Sequence, residues 1–381
     1  MSLNFQFISK ISDVPEQQWQ ALVSSDYPFI QYAFLNLLET TGAVGGETGW
    51  QPHHLVAYEQ DKLVLALPLY EKYNWTGEYV FDSSWDDAYR RYGMRYYPKL
   101  TACIPFTPVT GPRILCAAEK LDSYLPLMAN EIMKHCHDKG FSSVHLLFPE
   151  PTLSEQLIAL NWQQRRSVQF QWYNHDFQNF DDYLSTFSSR KRKNVKKERK
   201  KLLSPQCQIN RIVGNDLTEE HMRFFYHCYK STYLKRSGHD GYLPETFFMG
   251  LLQSCAHQLL LVLAYYDNQP VAGALYFFDA QHLYGRYWGG LTDIDGLHFE
   301  CCYYQGIEFC IEQGLQLFNP GTQGEHKIQR GFTPTYCYSN HWLKEPAFHQ
   351  AITHFVKEEN HSIAQYKEQA ELLLPFKNDD R

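Results

Sequence analysis

The sequence predicts a mixed α/β chain that carries one small sheet-and-helix plan twice. Three observations lead there. Each half contains a hairpin-like pair of apolar runs. Each half then has an apolar helix that stops at a glycine. A short strand running into proline follows that helix in both.

The first hairpin is HHLVAYEQDKLVLALPLYEK, from His53, with its turn at Glu59 to Lys62. The second is QLLLVLAYYDNQPVAGALYFFD, from Gln258, turning at Asp267-Asn268-Gln269-Pro270. LMANEIMKHCHDKGFSSVHLLFP (Leu127 to Pro149) has the 3.6-residue apolar period of a helix, a terminal Gly140 and then a strand. CCYYQGIEFCIEQGLQLFNPG (Cys301 to Gly321) repeats it with Gly314. NWQQRRSVQFQWY, from Asn161, and RGFTPTYCYSNHWL, from Arg330, read as the closing strands. The expected division is 1–180 for the first copy, 181–215 for a basic helical connector and 216–381 for the second copy.

A chain of 381 residues with 44% hydrophobic side chains can bury two cores of ordinary size. The apolar run Leu259 to Tyr266 is too short to span a bilayer. MSLNFQFISKISDV lacks the charged and apolar regions of a signal peptide, so a cytoplasmic location is expected. Ten cysteines are scattered without a C-x-x-C pair, which predicts reduced, mostly buried thiols. His135-Cys136-His137 puts its histidines at i and i+2, pointing apart on a helix, so no metal is expected. No P-loop, dinucleotide fingerprint, H-E-x-x-H or G-x-S-x-G motif occurs, which argues against kinase, dehydrogenase, zinc protease and hydrolase chemistry.

The order of strand, turn, strand, helix and a G-F before the last strand resembles GNAT (acyl-CoA N-acyltransferase) proteins, and its doubling resembles Fem-type transferases. YYPKLTACIPFTPVTGPRIL (Tyr96 to Leu115), SSRKRKNVKKERK (Ser188 to Lys200), LHFECCYYQGIEFCIEQGL (Leu297 to Leu315) and GTQGEHKIQRGFTPT (Gly321 to Thr335) are similar to the FemAB-like peptidoglycan biosynthesis or recognition family. The resemblance implies a tandem GNAT-like fold and transfer of an acyl group to an amine. The implied donors are acyl-CoA, used as a co-substrate with no tightly bound cofactor, or an aminoacyl-tRNA. The implied acceptor is a peptidoglycan-related precursor. A non-catalytic module that recognises a cell-wall precursor or RNA is the alternative. The loop GGLTDIDGLHFE (Gly289 to Glu300) departs from the GNAT pyrophosphate loop, and its Asp293 and Asp295 would repel that anion.

Candidate site residues cluster in the second half. GTQGEHKIQRGF is the densest polar stretch, just beyond a core strand, where open α/β sheets hold ligands. Glu325 or His326 is expected to act as general base, with Gln323 beside them and Lys327 and Arg330 holding an anion. Glu300 is a second candidate acid or base, and His298, Tyr303 and Tyr304 share its helix start. In YGRYWGG, alternation puts Arg286 and Trp288 on one strand face and Tyr287 on the other. Arg190 to Lys201 contains nine Lys or Arg and one Glu198. That run is expected to be a helix capped by Ser188 or Ser189. Arg190, Lys191, Arg192 and Lys193 would meet tRNA or another phosphate-rich ligand. PFTPVTGPR (Pro105 to Arg113) reads either as a groove wall with Arg113 on an anion or as a structural crossover.

Overall fold

The structure is a computed structural model that describes residues 3–202, 204–322 and 324–377. It divides into two compact units, Met1–Ser167 with Tyr336–Ala364, and Val168–Thr335 with Gln365–Arg381. These boundaries differ from 1–180, 181–215 and 216–381. Residues 336–364 pack with the first unit, and the basic helix belongs to the second.

In the first unit, His54–Glu59 and Lys62–Leu67 form the expected hairpin, flanked by Asn4–Ile8 and Leu115–Cys116. The second run does not continue as one strand. Pro68 has no N–H to give a ladder, and the chain resumes as Leu69–Lys72 in another sheet with Trp50–Pro52, Lys99–Ala102 and Ser143–Leu147. In the second unit, Cys207–Val213, Leu259–Tyr266, Gln269–Phe278 and His282–Gly290 are consecutive antiparallel neighbours. The turn takes Asp267 and Asn268 to φ of 48° and 61°, residue types that tolerate the left-handed region.

Both units share one relationship that defines the plan. Lys99–Ala102 runs parallel to Ser143–Leu147, and the start of His282–Gly290 runs parallel to Leu317–Asn319. A helix bridges each pair, Leu121–Lys139 in the first and Leu297 to Gln313 in the second. Both helices end at a left-handed glycine, Gly140 at φ 79° and Gly314 at φ 68°.

The closing strands are exchanged. Trp172 and Tyr173, at the end of Gln163–Tyr173, pair with Phe318 and Leu317 of the second unit. Ser339 to Leu343, at the end of Thr333–Leu343, pair with Leu147 to Ser143 of the first. Each sheet is therefore closed by a strand from the other half of the sequence. All ten cysteines are free thiols, and nine are buried. Among the described residues no helix is long and apolar enough to cross a membrane.

Candidate active site

The second unit places its polar cluster where its parallel strands part. Register runs from His282↔Leu317 to Tyr284↔Asn319, after which Arg286 to Gly290 continue without that partner. Leu291 to Gly296 lead into the site helix, whose second turn widens to a π turn over Glu300–Tyr304. Such turns re-aim successive side chains. On the other side lie Gly321 and Thr322, and the 3-10 helix Glu325–Arg330.

His326 is the centre of the group these segments form. Its Nε2 lies 2.8 Å from the Tyr303 hydroxyl, and its ring lies 5.3 Å from Phe299 and 6.1 Å from His298. His298 also meets Trp288 edge-on at 5.3 Å and Tyr303 at 5.4 Å. Burial, then the charges of His326, Arg236, Lys327 and Arg330, push the pKa of His298 down to about 3. His326 is exposed at its rim. Partial burial and the charges of Lys327 and Arg330 lower its pKa as well. Both rings are therefore neutral near pH 7, as a general base must be. Burial also raises the pKa of the Tyr303 hydroxyl, so it keeps its proton.

The two cations of the turn are tied to protein groups. Lys327 is 1% exposed, and its Nζ donates to the carbonyls of Gly321 at 2.7 Å and Thr322 at 3.2 Å. Burial lowers its pKa to about 7, with Cys302 opposing. Arg330 donates to the His326 carbonyl at 2.7 Å and to Glu198 at 2.5 Å, and lies 3.6 Å over the Phe299 ring. Both brace the turn that presents His326.

Three expectations about this cluster need correcting. Glu300 does not face the histidines. It is fully buried, takes two hydrogen bonds from Arg199 and a third from Gln305, and has the role of a structural anchor. Tyr304 is turned to Glu198, to which its hydroxyl donates, and is 1% exposed. Glu325 is exposed and accepts from Tyr366 at 2.9 Å, on the C-terminal helix. Glu300, Glu325 and His326 thus do not converge on one point. Gln323 lies outside the described residues. Trp288 joins the group through His298, while the Arg286 guanidinium sits 5.4 Å from the Tyr287 ring.

The basic helix Ser189–Leu202 is also satisfied differently from expectation. Protein carboxylates compensate part of it: the buried Arg199 pairs with Glu300 and Glu308, and the exposed Lys196 and Lys201 pair with Asp181 and Asp295. Arg190 and Lys193 are exposed, and Lys191 and Arg192 are half-buried.

Arg236 was not singled out from the sequence. It stands in the last turn of the helix Glu219–Ser237, and its charge reaches His298, Cys302 and Tyr303. That helix packs so tightly on Gly289 that a β-carbon there would stand 2.1 Å from the Cys228 carbonyl carbon. The glycine pair of YGRYWGG was the legible trace of this approach.

The equivalent mouth of the first unit is filled. Arg113, 0% exposed, donates to the carbonyls of Leu147, Val109, Gly111 and Pro112. Pro105 to Arg113 is thus the crossover reading, with no part of Arg113 left for an anion.

A family model described as FemAB-like, peptidoglycan biosynthesis/recognition, matches residues 10–378. The chain belongs to the FemAB-like family. FemX aligns over 89% of this chain and 98% of its own at 11% identity, with a TM-score of 0.54. A conserved protein of unknown function from Bacteroides thetaiotaomicron aligns over 89% and 99% at 12% identity, with a TM-score of 0.51. A tandem GNAT protein from the clavulanic acid biosynthesis pathway aligns over 91% and 99% at 9% identity, TM-score 0.49. No curated protein matches the sequence. The FemAB-like chain has a mixed α/β fold in two units, which it shares with FemX over nearly the whole of both chains.

Proposed function

We propose that the second unit of this FemAB-like protein transfers an acyl or aminoacyl group from an activated donor to an amine. The carrying observation is the neutral His326–Tyr303 pair at 2.8 Å, set where the parallel strands separate. In the productive tautomer Nε2–H donates to the Tyr303 oxygen and Nδ1 takes a proton from the acceptor ammonium. The freed amine attacks the acyl carbonyl carbon, the bond to the leaving group breaks as the Tyr303 O–H protonates the departing atom, and the second proton leaving the nitrogen passes to the Tyr303 oxygen and restores its hydroxyl. Positioning and one deprotonation supply most of the acceleration such a reaction needs. His298, Trp288 and Phe299 wall the acceptor from water. Arg236, exposed and at the edge of this group, attracts a carboxylate or phosphate of the substrate.

The family's description supports a peptidoglycan-related precursor as acceptor. Of the two donor classes, aminoacyl-tRNA fits better than acyl-CoA. Asp293 and Asp295 are exposed on the loop that would have to face a CoA pyrophosphate. The same loop favours the second reading, a recognition module without catalysis.

Single-turnover transfer should be assayed with aminoacyl-tRNA and with acyl-CoA against amine-bearing cell-wall precursors, in wild type and His326→Gln. Product from wild type and a loss of roughly 100-fold or more in the variant, at unchanged melting temperature, is the expected result. Equal turnover in both proteins would sink the assignment of His326. Binding of a precursor with no product from any donor would establish the recognition module.

A further inference from the structure

We propose that the basic helix and the end of the C-terminal helix together form a docking surface for an anionic lipid bilayer. This inference does not depend on the transfer chemistry.

Subtracting the compensated residues from the basic run leaves a pattern. Arg190, Lys193, Lys197 and Lys200 are all exposed, and none has an ion-pair partner among the described residues. They stand at i, i+3, i+7 and i+10, which is one stripe of a helix about 15 Å long. Val195, Arg199 and Leu202, on the opposite side, are buried. Arg190 to Lys193 also place four cations in the first turn, where the helix dipole disfavours them. An external anion relieves both repulsions.

The second component is apolar. Leu372 and Leu373, which end the helix Pro346–Leu372 and begin the tail, are 69% and 62% exposed. The tail is tied to the start of the basic helix. Phe187 and Phe376 form an antiparallel bridge, Ser188 N–H donates to the Pro375 carbonyl at 2.9 Å, and Lys377 N–H donates to Thr186 at 2.9 Å. Leu373 is thus two residues from one partner of that bond and Arg190 two residues from the other.

Cations beside paired exposed leucines are the composition of an interfacial anchor, in which apolar insertion and attraction to anionic headgroups each supply one signal. RNA would use the cations but has no use for the leucines, and the stripe holds no aromatic side chain on which bases stack. The lipid surface accounts for both components.

The test is co-sedimentation of the full chain with phosphatidylcholine vesicles and with vesicles containing phosphatidylglycerol, at low and high salt. Binding is expected only to the second, weakening as salt rises. Lys193→Glu with Lys197→Glu should lower vesicle affinity by at least roughly tenfold. Leu372→Ser with Leu373→Ser should lower it while keeping the salt dependence. All four positions are exposed, so melting temperatures should not move, and Lys193→Gln with Lys197→Gln gives a milder check of the same charges. Three outcomes would overturn the proposal: equal binding to both vesicles, no vesicle binding at all, or gel-shift binding of tRNA lost with the lysines and indifferent to the leucines.

Discussion

Arg199 clasps Glu300 with two hydrogen bonds, Nη2 to Oε1 at 2.7 Å and Nε to Oε2 at 3.0 Å. The pair joins the basic helix to the π turn of the site helix.

Because that carboxylate is buried, Glu300→Gln leaves a guanidinium short of its counter-charge. The variant should lose about 3–5 kcal/mol of unfolding free energy, measured by urea titration. A catalytic Glu300 would behave oppositely, with transfer abolished in a protein of undiminished stability.

The imidazole of His326 rests on Gly324. At φ 104° a β-carbon on Gly324 would stand 2.3 Å from His326 Cε1. Gly324→Ala should therefore displace the base and cut kcat by roughly 100-fold, with a much smaller change in KM. A general loss of fold would lower the active fraction and mimic that result, so single-turnover rate constants, which do not depend on the active fraction, together with an unchanged melting temperature, distinguish the two.

Acid should destabilise the protein through its buried histidines. His145 and His341 lie Nδ1 to Nδ1 at 2.5 Å, and burial holds both well below the ordinary histidine pKa. Burial likewise takes His298 to about 3. Below pH 6.5 the unfolded chain takes up protons that the native state refuses, so stability falls as pH falls. For His298 the window runs from 6.5 down to about 3. His298→Phe should flatten that limb, read from urea midpoints at successive pH values.

Lys327 adds a second limb of the same sign on the alkaline side. Its native pKa is about 7 against an ordinary 10.5, so the unfolded state holds the extra proton between those values. Stability should rise with pH across that interval, and in Lys327→Met that rise should be missing. The lost hydrogen bonds to Gly321 and Thr322 shift the whole curve equally, which leaves its slope as the readout.

What the sequence made legible was local. Turn chemistry at Asp267-Asn268 and the glycines closing the two helices act over a few residues, and they appear where their pattern put them. His326 and Tyr303 were both singled out, one from the polar turn and one from the helix start. The partner of Glu300 was not, because Arg199 stands about a hundred residues away inside a run whose composition suggested solvent and ligand. Arg236 escaped for a related reason: its position depends on a close helix–strand packing at Gly289 that no local signal encodes. The exchange of closing strands was equally hidden. Two strands of similar pattern compete for two similar sheet edges, and only tertiary packing chooses between them.

That exchange has a bearing on how the chain is made. As a ribosome delivers residues in order, the first unit must wait with an open sheet edge until Ser339 to Leu343 emerge, nearly two hundred residues after the strand they pair with. The second unit is closed earlier, by a strand completed before its own residues appear. The later-encoded half thus has all its sheet strands in hand before the earlier one does, and a nascent chain halted near residue 335 would expose an unfinished N-terminal edge to chaperones.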